Sequence, residues 1–499
     1  MDEVDPVGGA RPEVRPSRPL PRFLPPLLLF LFISVVFSFR LEHPELHADE
    51  ITYLNAVFES QLQGRVFPVQ GDGQLFLNKP PLSFWAMRIS FELLGPTPFA
   101  ARLPSVLFAA ATATLLFLFG SARFGRRVGL LAALIFAFTP SPLVTHGLRA
   151  ATPDALEILL VTVGVCGLET WRRCRVGWAL AATTVAIAAT AWVKSPFAVL
   201  VFLVYWLATE WFARRAGQGT PRLLASLGLV VVAWGLAFTA WFAVLAADTS
   251  PRAVTKRLFN QQYGRRIEGR LGKSHLQGPS FYLETTVADF GPLLALPLAS
   301  GVWFLIVRRR NAHVDAPVDA ARQLPWATAA PLLASVSASK LPWYAYLGYP
   351  GMALLLAASG SALARGPHWR RLLVPVVAGI LVLRLPLADA WPESPRYRGL
   401  VGHLWQLAQD DATIVFVPAP DLELPRQRDV AYREARFYLR TLLKRPTATR
   451  ASTCRAVLQN QPRTGTELQI ELYRPNDEGV GLWLVDECGG RLVTELCQR

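Results

Sequence analysis

The chain has 499 residues, 52% of them hydrophobic and only 17% charged, against about 25% charged in an ordinary soluble protein. Its net charge is +15. That would point to nucleic acid in a soluble chain, but here the positive charge sits in short loops between apolar blocks, as the positive-inside rule expects. Nucleic-acid binding is therefore set aside. A polytopic membrane protein is the reading that remains.

Residues Met1 to Arg22 are rich in Pro and Arg and read as a disordered cytoplasmic N-terminus. The apolar block from Leu24 to Phe39 follows with no small-residue cleavage site behind it, so it reads as a retained anchor rather than a signal peptide. Further blocks of roughly 15–25 residues suit about 30 Å of hydrocarbon. Short Arg-rich segments return between them at Ala122 to Arg127, Trp171 to Arg175, Trp211 to Arg222, Val307 to Arg322 and Arg365 to Arg371. With the N-terminus, they agree on one orientation and on about 11–13 spans.

Two long segments fall on the outer side, Arg40 to Arg102 and Asp248 to Phe290. Within the first, Asn55 to Leu62 and Leu82 to Leu93 read as amphipathic helices on the membrane surface. Residues 390–499 change character and become polar and mixed. Strands are expected at Thr413 to Val417, Leu468 to Leu472 and Leu482 to Val485, and a helix at Tyr432 to Leu443. The expected architecture is an all-α membrane bundle over 23–389, with outer amphipathic helices and a small extracytoplasmic α/β domain over 390–499. The five cysteines show no zinc-type spacing. Cys454, Cys488 and Cys497 lie in the tail, where one disulfide or three free thiols are both open.

The outer side breaks the charge rule. The second long loop holds Arg252, Lys256, Arg257, Arg265, Arg266, Arg270 and Lys273, with His275 behind them. Single cations stand beside prolines: Lys79 before Pro80, Arg149 ahead of Pro153, Lys194 ahead of Pro196 and Lys340 ahead of Pro342. Charges at a membrane boundary are costly and tend to mark sites. Arg and Lys there suit an anionic ligand such as a lipid phosphate, or else ordinary anionic headgroups. Carboxylates also face outward. Asp49 and Glu50 follow the first span, and Asp154 opens a later one. A carboxylate can take the proton of an acceptor hydroxyl. An Asp at a helix start also serves as a charge partner of the helix dipole. The adjacent acids with His47 could hold a divalent cation, a weak spacing signal.

These segments also carry a resemblance. "HADEITYLNA", then "LNKPPLSFWAMRISFELLGPTPFAARLPSVL", resembles the first outer loop of GT-C class glycosyltransferases. The nearest branch holds the aminoarabinose lipid A transferases and the bacterial relatives of protein O-mannosyltransferases. "WVKSPFAVL" is similar to that family's Thr-Lys-Gly-Pro segment, and "HLQGPSFYLE" to its His-x-x-Pro-Phe-x-Tyr stretch. "SASKLPWYAYLGYPGMALLLA" is similar to its Ser-Lys-Leu-Pro-x-Tyr stretch. The resemblance implies a transfer of a sugar (hexosyl or pentosyl) from a polyprenyl-phosphate-linked donor to a hydroxyl or phosphate of lipid A, a glycan or a protein, at the outer face of the inner membrane. It implies Asp49 as the catalytic carboxylate, with Asp154 as a second acid and Glu50 beside them. It implies Lys79, Arg265 or Arg266, His275, Lys340 and Tyr344 around the donor phosphate. Close relatives often have Glu before Lys-Pro-Pro, where this chain has Asn78, so no metal ligand set is assigned, although a divalent metal remains possible. A transporter or flippase of anionic lipid-linked sugars is the alternative. It would call for internal repeats and charges deep within spans.

Overall fold

The structure is a computed structural model. It describes residues 21–383 apart from 22, 43–47, 70–74, 195, 216–222, 259–263, 265–267, 269–275, 309–320, 365–374, 378 and 382, followed by four strands. The protein is mostly helical. The helices are α1 Leu24–Ser38, α2 Ala48–Leu62, α3 Leu82–Leu94, α4 Pro98–Phe124, α5 Arg126–Ala137, α6 Pro140–Val144, α7 Asp154–Cys174, α8 Gly177–Thr190, α9 Phe197–Arg215, α10 Leu223–Asp248, α11 Pro251–Thr255, α12 Phe281–Phe290, α13 Ala295–Arg308, α14 Leu324–Ser335 and α15 Tyr349–Leu363.

Among the described residues four helices are long and apolar enough to cross a membrane: Pro98–Phe124, Phe197–Arg215, Leu224–Asp248 and Phe281–Trp303. Leu24–Ser38 and Gly177–Thr190 are shorter and apolar. Helix α10 shows why the surrounding medium is lipid. Leu224, Leu229, Val231, Val232 and Leu236 are exposed along it, an apolar surface too long for water to tolerate without a partner. Its backbone groups are satisfied within the helix, as hydrocarbon requires.

Local chemistry sets the helix ends. In α4 the Thr97 side chain accepts from the Ala100 amide at 3.1 Å and Pro98 takes the first turn, the preferred N-terminal arrangement. The helix stops at Gly125, whose φ of 97° favours glycine. The chain turns back at once into α5, and the pair packs at van der Waals range through Gly120 and Gly129. A Cβ on Gly129 would lie 2.4 Å from the Phe117 carbonyl oxygen. Helix α15 packs on α5, α1 on α4, α8 on α7 and on α10, and α14 on both α9 and α15. The core between them holds Phe37, Phe136, Phe202, Trp206, Trp326 and Tyr346.

Successive helices run back and forth, so chain ends alternate. Side-chain contacts join Phe37, Phe39 and Leu41 at the end of α1, Glu50 of α2, residues 145–151, Lys194 and Tyr344 to Tyr346 at one end of the bundle, and the Arg-rich turns at 123–127 and 171–176 follow the opposite ends of α4 and α7. Helix α2 corrects the expectation of a surface helix over Asn55 to Leu62. It begins at Ala48, and Ile51, Tyr53, Leu54, Ala56, Val57 and Phe58 are buried. Helix α3 keeps the expected two-faced character, burying Phe84, Met87 and Phe91 and exposing Ile89, Leu93 and Leu94.

Beyond the bundle, strands β1 Ile414–Pro418, β2 Cys454–Gln459, β3 Gln469–Tyr473 and β4 Leu482–Asp486 form one sheet in the order β1-β2-β4-β3. β1 pairs with β2 in parallel, and the other pairings are antiparallel. The helix expected over 432–443 lies outside the described residues, as do Cys488 and Cys497.

The glycine contact of α4 and α5 yields a prediction. Gly129→Val forces the hairpin apart, and overpacking of this kind costs about 1–3 kcal/mol. A lower unfolding midpoint in detergent is expected, while an unchanged midpoint would show that the two helices are not held at this spacing.

Candidate functional site

The candidate residues are assembled at the end of the bundle where α2, α7 and the 145–153, 191–196 and 336–348 connections meet. Helix α2 is pinned there by Glu50, which is fully buried. Arg102 of α4 grips it with two bonds, Nε to Oε1 at 3.0 Å and Nη2 to Oε2 at 3.1 Å. The Ala151 amide donates to the same Oε1 at 2.7 Å. Arg102 Nη1 also donates to the Leu41 carbonyl at 3.0 Å. Arg149 donates from Nε to the Phe37 carbonyl at 2.9 Å and from Nη2 to the Phe39 carbonyl. These carbonyls belong to the end of α1 and its exit, where helices leave acceptors unpaired and where cations are favourable. Burial, with repulsion from Arg102 added, lowers the Arg149 pKa to about 10, so it stays charged at neutral pH.

Asp49 is one residue away yet differently placed. About 50% of its side chain is exposed. Its Oδ2 accepts from the Tyr53 hydroxyl at 3.4 Å and lies 3.9 Å from His146 Nε2. Tyr53 is itself fixed by ring contacts with Phe76 and Phe84. His146 stacks on Trp343 with ring centroids 4.0 Å apart.

Asp154 is the first residue of α7 and is buried. Lys194 Nζ donates to its Oδ1 at 2.5 Å and lies 3.6 Å from Oε2 of Glu157, one turn further along α7. Burial disfavours the Lys194 ammonium, but Asp154 and Glu157 outweigh that and push its pKa upward. The Tyr344 ring lies 5.6 Å from the same ammonium and 5.7 Å from Phe197. Lys79 and His146 also act electrostatically on Asp154. Lys79 is half-buried, four residues beyond the short bridge of Val69 and Leu75. Asn78 beside it accepts from Arg257 Nε at 3.2 Å, which brings the segment after α10 onto the one before α3.

The sequence-derived residues thus separate. Asp49, Lys79, Asp154 and Tyr344 come together. Glu50 is committed to Arg102. Lys340 is buried and donates to the Gln277 and Ser337 carbonyls at 3.3 and 3.0 Å, tying the end of the second loop to the connection after α14. Arg265, Arg266 and His275 lie outside the described residues. His146, Glu157 and Trp343 were not singled out from sequence. Glu157 and Lys194 were legible only as a turn-spaced acid beside Asp154 and a Pro-flanked cation. Among the described residues no three His, Cys, Asp or Glu side chains are grouped to hold a metal ion. A cavity of about 360 Å³ lies apart from the acids, between Arg65, Val66, Phe67, Leu75 and the end of α10 at Val244, Ala247 and Asp248.

With this geometry in view, residues 78–254 match the family described as dolichyl-phosphate-mannose-protein mannosyltransferase. The fold of the chain is similar to that of ArnT from Cupriavidus metallidurans in a crystal structure bound to undecaprenyl phosphate, at 15% identity and a TM-score of 0.63, over 92% of this chain and 97% of that one. The apo structure of the same ArnT matches at 19% identity and a TM-score of 0.55, over 84% of this chain and 74% of that one. No curated protein sequence matches the chain. The bundle therefore shares the fold of ArnT, and the candidate site lies at the end of the bundle where the segments after α1 and α10 meet through Asn78 and Arg257.

The Glu50 pin is testable. Removing one partner of a buried ion pair leaves the other charge uncompensated, at about 3–5 kcal/mol. Glu50→Ala and Arg102→Ala should each lower the unfolding midpoint sharply, and replacing both by apolar residues should recover much of the loss. A stable Glu50→Ala that has lost only transfer would return Glu50 to the chemistry.

Proposed function

We propose that the protein is a glycosyltransferase of the inner membrane that takes its sugar from a polyprenyl-phosphate-linked donor. The acceptor is a hydroxyl or phosphate on lipid A, a glycan or a protein at the outer face. The N-terminus is cytoplasmic, and residues 390–499 form a small extracytoplasmic α/β domain.

One observation carries the assignment of the base. Asp49 keeps half of its side chain open, whereas Glu50, Asp154 and Glu157 are buried against Arg102 or Lys194. A carboxylate must reach the hydroxyl whose proton it takes, and Asp49 is the acid of this group that can. The acceptor oxygen attacks the anomeric carbon, and its proton passes to Asp49. The bond from that carbon to the phosphate oxygen breaks, and its electron pair leaves with the lipid phosphate.

Charge builds on the leaving phosphate, so a cation near it stabilises the transition state more than the ground state. In this reading Lys79 takes this part together with Tyr344, and Arg265, Arg266 and His275 are the further phosphate-binding residues. The ArnT structure with undecaprenyl phosphate supports a lipid-linked donor. Lys194 acts differently from a free phosphate ligand, because two carboxylates already hold it. Lys340 likewise braces the loop rather than the donor.

The test begins with a panel of polyprenyl-phosphate sugars offered to purified wild-type protein, with product read by mass spectrometry. Transfer from none of them overturns the reading. On the donor selected, Asp49→Asn should fold normally, bind undecaprenyl phosphate as before and lose about 10²–10⁴ in rate. Near wild-type transfer would remove Asp49 from the mechanism.

Lys79→Gln, and the double change Arg265→Gln with Arg266→Gln, should instead weaken undecaprenyl phosphate binding. A lost charge-assisted phosphate contact is worth about 1.5–3 kcal/mol, or roughly 10- to 150-fold. Unchanged affinity in both would assign these cations to ordinary headgroups.

A further inference from the structure

Among the groups around Asp49, His146 is the one that the motifs leave without a role. It sits in the connection between α6 and α7, and three observations show that this connection is rigid. Thr145 Oγ1 donates to the Ser141 carbonyl at 2.7 Å and lies 2.7 Å from the Tyr346 hydroxyl. The Leu148 amide donates to the Pro142 carbonyl at 2.7 Å. Gly147 lies so close to that turn that a Cβ there would stand 2.3 Å from the Pro142 carbonyl oxygen. The imidazole itself lies nearly flat on Trp343, with 28° between the planes. Trp343 stands at the unspecified position of the Ser-Lys-Leu-Pro-x-Tyr pattern, so this stack is an addition to the motif.

The ring so fixed presents Nε2 to Asp49 Oδ2 at 3.9 Å. That is too long for a hydrogen bond, but contacts in ligand-free sites tighten when substrate binds. Tyr53 meets the same oxygen from within α2. Two neighbours therefore address Oδ2, Tyr53 from α2 and His146 from the connection before α7. Asp154 of α7 also interacts electrostatically with the imidazole.

We propose that His146 is a positioning residue for the transfer reaction: it donates Nε2–H to Oδ2 of Asp49 and turns Oδ1 toward the acceptor hydroxyl. The proposal rests on the assignment of Asp49 as the base. The acceptor O–H bond breaks and the Oδ1–H bond forms, while His146 keeps its own proton throughout. Orientation of this kind governs rate rather than affinity, because a catalytic group held slightly out of line loses rate steeply.

The experiment uses the full-length protein and the donor selected by the panel. His146→Phe keeps a ring on Trp343 and removes the N–H. Its kcat should fall about 10- to 100-fold, the size of a lost hydrogen bond to a charged group. KM for the acceptor and Kd for undecaprenyl phosphate should not move. His146→Gln returns a side-chain N–H and should restore most of the rate. Added to Asp49→Asn, His146→Phe should cost nothing further, since coupled residues are not additive.

An unchanged kcat in His146→Phe beside an inactive Asp49→Asn overturns the proposal and leaves the base in place. Full transfer by Asp49→Asn overturns the base assignment itself. If the Phe variant fails to insert, His146→Ala with added imidazole decides. Recovery of kcat supports the positioning role, and no recovery overturns it.

Discussion

The ion pair of Glu50 and Arg102 is the contact on which the site depends. Both side chains are fully buried. Removing two charges from water is expensive, and the cost is met only when every remaining donor and acceptor finds a partner. Here they do. Glu50 receives two bonds from Arg102 and one from the Ala151 amide, and Arg102 spends a further nitrogen on the Leu41 carbonyl. One pair thus fastens α2, α4, the exit of α1 and the start of the α7 approach at a single point. Helix neighbours point about 100° apart. Anchoring Glu50 inward therefore turns Asp49 away from that anchor, and half of its side chain stays open.

This geometry explains what could be read from the sequence. The adjacent acids after the first span stood out because carboxylates are rare beside a membrane. Their division into an anchor and an open group did not, because the deciding partner, Arg102, is 52 residues away and reads as an ordinary cation at the start of a span. Asp154 and Lys194 were each visible, but their pairing joins α7 to the connection before α9 and exists only once the bundle closes. Lys340 shows the opposite failure. A lone cation beside a proline looks like a ligand, yet its ammonium caps two carbonyls. His146 carried no signal at all, since a single histidine in a loop gains meaning only from what it faces.

The helical bundle was more legible than the site. Apolar blocks and Arg-rich turns are local features, and they placed the turn between α4 and α5 at 122–127 and the one between α7 and α8 at 171–175. The buried character of α2 was missed for a physical reason. Its polar residues Asp49, Asn55 and Gln61 give it an amphipathic pattern, but the face taken for a lipid contact packs instead on α3 and the 75–77 segment. Tyr53 against Phe76 and Phe84 makes that contact.

Charge balance at the site gives the second outer loop its reason. Asp49, Asp154 and Glu157 gather near Lys79 and Lys194. Lys194 is already shared between Asp154 and Glu157. A donor phosphate would add negative charge beside these acids, which opposes binding at short range. Cations must therefore come from elsewhere, and the second loop is where they are concentrated. Arg257 already reaches the residue next to Lys79 through Asn78. On the proposed reading, the open Asp49 serves the acceptor, and Lys79, joined to the cation-rich second segment through Asn78 and Arg257, serves the donor phosphate, so that acid and cations work on opposite sides of the carbon under attack.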